Sequence, residues 1–156
     1  MRLLLRRPVA PSLLSVTVGV ATLGLLFAIG PCDGSPHHDR RMILDAIRTV
    51  ESGGDPDPPA GDGGRALGPY QIHREYWADA VAFEPGLGGS YEDVRRVAYA
   101  ERVIDAYMRR HAPDAWSAGD AETIARIHNG GPRGAERAST LGYWRKVKSL
   151  LDGAAR

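Results

Sequence analysis

Cysteine is almost missing from this 156-residue chain: Cys32 stands alone, so no intramolecular disulfide can form. Any folded region must therefore be held by packing. Metal-ligand spacing is missing too. Of the five histidines, His37 and His38 sit together in a polar stretch, and none of the others pairs at helical spacing beside a carboxylate. No metal site and no cofactor are expected. Charge of one sign is also lacking. Twenty basic residues face 19 acidic ones, and three of the basic ones, Arg2, Arg6 and Arg7, precede residue 31, where there are no acids. The rest of the chain is slightly acidic, so no positive field favours nucleic acid. Internal repeats are absent as well.

Those three arginines introduce an apolar run from Ser12 to Gly30. A positive head followed by such a run is what the secretion machinery reads, and its length approaches the roughly 20 residues that span a bilayer. Residues 1–30 are thus expected to be a signal peptide or membrane anchor, with residues 12–30 able to act as a tether. The protein is expected to be exported: secreted, periplasmic or anchored facing outward. Residues 31–38, rich in proline, glycine, serine and aspartate, read as a linker, and residues 39–156 as one folded domain.

Within that domain Ile43, Leu44, Ile47 and Val50 recur at helical spacing, predicting a helix from about Asp39 to Glu51 that Ser52-Gly53-Gly54 ends. The glycine- and proline-rich stretch 53–66 reads as a loop and short hairpin. A short helix over about 74–81 follows, then a break at 84–89. Ser90 and Asp93 have capping-box spacing and open the longest predicted helix, to about His111. Asp120 caps another through Ile124 and Ile127, stopped by Asn129-Gly130-Gly131-Pro132. A last helix covers about 140–151. Trp77, Tyr107, Met108, Ile127 and Trp144 are the predicted core. The fold class is α+β, mainly α, with one small hairpin lobe.

Glu51 carries the chemistry. It ends the first helix, where the partial negative charge of the outward carbonyls disfavours an ionised carboxylate. Burial against Ile47 and Val50 acts in the same direction. A glutamate kept protonated near neutral pH can serve as a general acid. Asp62, eleven positions on and across the turn-rich loop, can fold back to face it, with Gly63 and Gly64 leaving room beside it. Asp55 and Asp57 compete for that place. Two carboxyl groups so arranged are what glycoside cleavage uses.

The blocks around this pair resemble the invertebrate-type lysozyme family, which includes the destabilases. They are Glu51-Ser52-Gly53, Leu67 to Ile72, Tyr76-Trp77, Ala106 to Arg110, Ala125 to Pro132 and Ala138 to Val147, in the family's order over roughly residues 42–151. The resemblance implies a lysozyme-like fold. It also implies hydrolysis of the β-1,4 bond between N-acetylmuramic acid and N-acetylglucosamine, with Glu51 as general acid and Asp62 as nucleophile or stabiliser. Peptidoglycan strands would be the partner, a proteinaceous lysozyme inhibitor a second one, and an antimicrobial role would fit. Family members are laced with disulfides; this chain is not.

Substrate contacts are expected from Tyr70, Gln71, His128, Asn129 and Gly130. Tyr70 can line the cleft or fill the core. Gln71 can bind an N-acetyl group or brace its loop, and His128 can contact substrate or fix the helix end. Two other functions share these features: a lytic transglycosylase using Glu51 alone, and a non-catalytic peptidoglycan-binding protein.

Overall fold

The computed structural model describes residues 38–154, so the leader and residues 31–37 of the linker lie outside the described residues. Helix α1 (Arg40–Ser52) begins where the Asp39 side chain accepts from the Arg41 N–H at 2.9 Å. It buries Ile43, Ala46 and Ile47 on one face, each isoleucine contributing about 2–3 kcal/mol. Its last turn closes through the N–H of Gly53, whose left-handed backbone (φ 66°) turns the chain away.

The loop that follows ends in a 3-10 turn, Asp62–Gly64. Strand β1 (Ala66–Leu67) then pairs antiparallel with β2 (Ile72–His73), with Ala66 opposite His73 and Leu67 opposite Ile72. The hairpin thus begins at the last residue of 53–66, where Ala66 also bridges to Gly61, and runs on to His73. Its strands need apolar residues to bury, and Ala66, Leu67 and Ile72 are the first after the loop. Gly68 opens the hairpin turn with φ 72°, and a Cβ there would stand 2.2 Å from the Val94 carbonyl oxygen.

Helix α2 (Arg74–Phe83) follows, then two 3-10 turns, Pro85–Leu87 and Tyr91–Arg95. Ser90 and Asp93 do form a capping box, but the helix it starts is the second of these turns. Arg96 is extended (φ −87°, ψ 121°), and α3 runs only from Val97 to His111. The long helix expected over 90–111 is therefore two elements. The break has a packing reason. It sets Tyr91 beneath the hairpin, where its hydroxyl lies 2.8 Å from the Arg65 carbonyl oxygen and 2.7 Å from that of Ile72.

Helix α4 (Pro113–Ala118) carries no apolar period long enough to predict. Pro113 starts it, and Trp116 anchors it, donating from the buried indole to Asp105 at 2.9 Å. Helix α5 (Ala121–Gly130) is capped by Asp120 and ended by Gly131, and after two further 3-10 turns α6 (Leu141–Ala154) closes the fold. Central α3 buries Tyr99, Ala100, Val103, Ile104, Ala106, Tyr107 and Met108, with α2 against it, while α1, α5 and α6 pack on one another.

Tyr107, Met108 and Ile127 are buried as expected, whereas Trp77 and Trp144 lie at the core's rim, half-buried. The rim suits Trp77, whose indole N–H reaches the Tyr99 hydroxyl at 3.0 Å. Among the described residues no helix is long and apolar enough to cross a membrane.

Gly68→Ala combines a left-handed backbone with a clash against backbone atoms of Val94 and Arg95. It is expected to lower stability by about 2 kcal/mol or more, seen as an earlier urea midpoint by tryptophan fluorescence. An unchanged midpoint would show that the hairpin does not press on the 91–95 turn.

Candidate active site

Position 51 falls four residues after Ile47, so the buried face of α1 carries Glu51 inward, and its side chain is 19 % exposed. Burial is the main influence on the carboxyl group and raises its pKa above 4.5. The Tyr143 hydroxyl and the more distant Lys146 ammonium, both on α6, partly oppose it. The Tyr143 hydroxyl is buried and lies against this carboxyl, without another partner and outside strict hydrogen-bond geometry.

His128 reaches the same place from α5. It stands four residues after fully buried Ile124, and its side chain is 4 % exposed. Its Nε2 lies 3.3 Å from the Tyr70 carbonyl oxygen, to which it donates, and 3.8 Å from Glu51 Oε1. Desolvation pushes its pKa down to about 4, so it is neutral at physiological pH. Because His128 is neutral at physiological pH, its contact with Glu51 is not an ion pair there. Tyr76 of α2 adds an edge to the His128 ring at 5.6 Å between centroids and stacks on Tyr107.

Across the cleft the environment is reversed. Asp62 adopts a left-handed backbone (φ 48°) on its 3-10 turn, and its side chain is 49 % exposed. Arg65 Nη2 donates to Oδ1 at 2.8 Å, while His73 Nε2 stands 3.6 Å from Oδ2. No atom lies within 4 Å of where a Cβ on Gly63 or Gly64 would stand, so the space beside Asp62 is open.

Glu51, Tyr76, His128 and Asn129 line a cavity of about 260 Å³ together with Asp62, Ala66, Gln71, Ile72 and His73. Five of the expected residues therefore share one cleft: Glu51, Asp62, Gln71, His128 and Asn129. Gln71 also braces its loop, donating from Nε2 to the Gly68 carbonyl at 2.9 Å.

Two expected contacts are corrected. Tyr70 is fully buried and its hydroxyl donates to Glu101 at 2.8 Å, because the hairpin turn points it into the core. Gly130 packs against Thr140, where a Cβ would meet the methyl group at 2.5 Å, and is not part of the cleft lining. Asp55 and Asp57 are exposed, joined by an N–H-to-carboxylate bond of 2.9 Å, and stand outside the lining too.

His73 and Tyr143 escape a reading of the sequence. His73 follows buried Ile72 in a strand, and alternation alone marks it as facing away from Ile72. Tyr143 approaches Glu51 only through helix packing. Among the described residues no group of three or more histidine, cysteine, aspartate or glutamate side chains is placed to hold a metal ion.

The buried neutral imidazole has a consequence for stability. The unfolded state takes up a proton near 6.5, the folded state only near 4. The stability His128 contributes is thus full above 6.5 and lost as pH falls towards 4, by about 3 kcal/mol. Urea midpoints between pH 7 and 4 should fall accordingly, and His128→Gln should flatten the curve. A wild-type curve already flat over that window would mean the ring is not buried neutral.

The chain is similar to known proteins over most of its described residues. Residues 41–150 match the Destabilase family. Lysozyme 1 of Crassostrea virginica is 37 % identical over 111 residues, covering 70 % of this chain and 58 % of the oyster protein. The lysozyme of Meretrix lusoria is 36 % identical over 89 residues, covering 56 % of this chain and 70 % of the clam protein. The chain thus spans under two thirds of the oyster relative's length. Among solved structures, a chain in the complex of Aeromonas hydrophila PliI with Meretrix lusoria lysozyme superimposes with a TM-score of 0.58 at 31 % identity. It covers 70 % of this chain and 88 % of that one. Tapes japonica lysozyme gives 0.57 at 29 % identity, covering 69 % and 86 %. On the match over residues 41–150, the chain belongs to the destabilase family, that of the invertebrate-type lysozymes.

Proposed function

We propose that this protein is a peptidoglycan hydrolase that cleaves the β-1,4 bond between N-acetylmuramic acid and N-acetylglucosamine. Glu51 is its general acid and Asp62 its second carboxylate. One observation carries the reading: two carboxyl groups line a single cleft in opposite environments. That of Glu51 is desolvated beside a neutral histidine, whereas that of Asp62 is solvated and paired with Arg65. Environments that differ in this way divide acid from nucleophile in glycosidases.

Glu51 gives its proton to the glycosidic oxygen as the bond to the anomeric carbon breaks. The positive charge developing on that carbon is met by Asp62, as an ion pair or a covalent ester. Glu51, now ionised, takes a proton from water, whose oxygen bonds to the anomeric carbon and releases Asp62. Gln71 and Asn129 present polar groups to the sugar, while His128 stands behind Glu51 with its Nε2 held by the Tyr70 carbonyl. The lysozyme names of the relatives support the same activity. PliI, crystallised with the Meretrix lusoria enzyme, supports a proteinaceous inhibitor as a partner. A substrate in the cell wall fits an exported protein, with residues 1–30 as signal or anchor and 39–156 as the catalytic domain.

Glu51→Gln is expected to lower peptidoglycan cleavage by about 10²–10⁴-fold. Wild-type digests analysed by mass spectrometry should carry reducing muramic ends. Anhydro-muramic ends would instead mean a transglycosylase, and sedimentation with insoluble peptidoglycan without cleavage would mean a binding protein.

The pH dependence has a definite sign. With its pKa raised by burial, Glu51 stays protonated above 4.5, and activity declines as pH rises through that raised value. Over the same window the unfolded state loses its proton first, so the carboxyl group destabilises the fold increasingly. Glu51→Gln should therefore be as stable as wild type at neutral pH, or more so. A clear loss of stability would contradict a buried, uncharged Glu51.

A further inference from the structure

Arg65 stands in the part of the loop that the reaction described above does not use, and its bonds converge on Asp62. Its Nε donates to the Asp62 carbonyl oxygen at 3.0 Å and its Nη2 to Asp62 Oδ1 at 2.8 Å. One planar guanidinium thus holds both the backbone and the side chain of a residue whose left-handed φ of 48° is unfavourable for anything but glycine, asparagine or aspartate. Arg65 is itself held. Its carbonyl oxygen lies 2.8 Å from the hydroxyl of Tyr91, which is 6 % exposed, and that hydroxyl also reaches the Ile72 carbonyl oxygen of the hairpin at 2.7 Å. The Arg74 guanidinium covers the Tyr91 ring at 4.4 Å. A run of contacts therefore leads from the helical body, through Tyr91 and the Arg65 backbone, to the Asp62 carboxyl group.

The two carboxylate oxygens are not equivalent in this arrangement. Oδ1 is tied to Arg65, while among the described residues Oδ2 has no hydrogen-bond partner and His73 stands 3.6 Å from it, beyond hydrogen-bond distance. We propose that Arg65 is a positioning residue that clamps Asp62 by Oδ1 and its carbonyl, leaving Oδ2 as the oxygen presented to the anomeric carbon. The proposal rests on Asp62 being the second carboxylate. With the clamp, the free oxygen has one orientation. Without it, the solvated side chain rotates about χ1 and χ2, and the reacting atoms meet in good geometry less often. An ångström of misplacement can lower a rate by about a hundredfold. The pair is exposed, so it adds little to stability, and the fold does not depend on it.

The test compares Arg65→Ala, Arg65→Lys and Asp62→Asn in the full chain, on soluble glycan fragments of alternating N-acetylmuramic acid and N-acetylglucosamine. Arg65→Ala is expected to lose about threefold to tenfold in kcat, with KM changed less than about twofold and melting temperature shifted by a few degrees at most. Millimolar guanidinium should restore part of that rate in Arg65→Ala and none in Asp62→Asn, and Arg65→Lys should fall between wild type and Arg65→Ala. Full activity of Arg65→Ala beside an inactive Asp62→Asn overturns the clamp while leaving the role of Asp62 intact. So does an Arg65→Ala that guanidinium does not restore and that Arg65→Lys does not improve on. Full activity of Asp62→Asn overturns the assignment of Asp62, and the clamp with it.

Discussion

An acid confined among uncharged neighbours at the end of a helix is the constraint around which this molecule is organised. Glu51 leaves water because α1 keeps its apolar face turned inward until Gly53 reverses the chain. A carboxyl group so placed would be ionised if a cation stood beside it. The neighbour that comes nearest in charge type, His128, is buried deeply enough to remain neutral, and Lys146 acts only from a distance. Helices α1, α5 and α6 must pack closely for this, since each supplies one of the groups involved. The packing thus raises the pKa of Glu51 as well as fixing a shape.

The opposite wall follows other rules. Asp62 sits on a tight turn, half in solvent, and polar contacts rather than burial fix it. Gly61 helps to form that turn: its carbonyl accepts from the N–H groups of Gly64, Arg65 and Ala66. The Gln71 side chain lies close over Gly61, so that a Cβ there would have to displace its amide group. Tyr91 joins this lobe to the helical body through two carbonyl groups. In a chain without disulfides, such buried hydroxyl-to-carbonyl bonds and the close approach of Gly68 to Val94 are what hold the loop in register.

Much of the helical frame could be read from the sequence. The periods of α1 and α5 and the stops at Gly53 and Gly131 concern neighbours along the chain, where spacing and capping decide the outcome. The separation of Tyr91–Arg95 from α3 could not be read, because Ser90 and Asp93 cap a 3-10 turn as readily as an α-helix. The choice was made by the partners Tyr91 finds in the hairpin, 19 and 26 residues away. Trp77 and Trp144 looked like core residues by type, yet they border it; for Trp77 the reason is that its N–H finds a partner there in the Tyr99 hydroxyl.

Glu51 as a candidate acid was legible because its place on the apolar stripe, one turn after Ile47, is local. Asp62 was legible only as one of three aspartates in a turn-rich loop. That it shares a cleft with Glu51, while Asp55 and Asp57 do not, depends on a hairpin that closes the loop from beyond its end. The sequence by itself determined the helices, their stops, the family pattern and the position of the buried acid, all of which spacing along the chain encodes. Tertiary structure alone decided that Tyr70 turns into the core, that Tyr143 and neutral His128 meet Glu51, and that Arg65 holds Asp62. Each of these depends on which surfaces exclude water together, a property of pairs of elements rather than of any one segment.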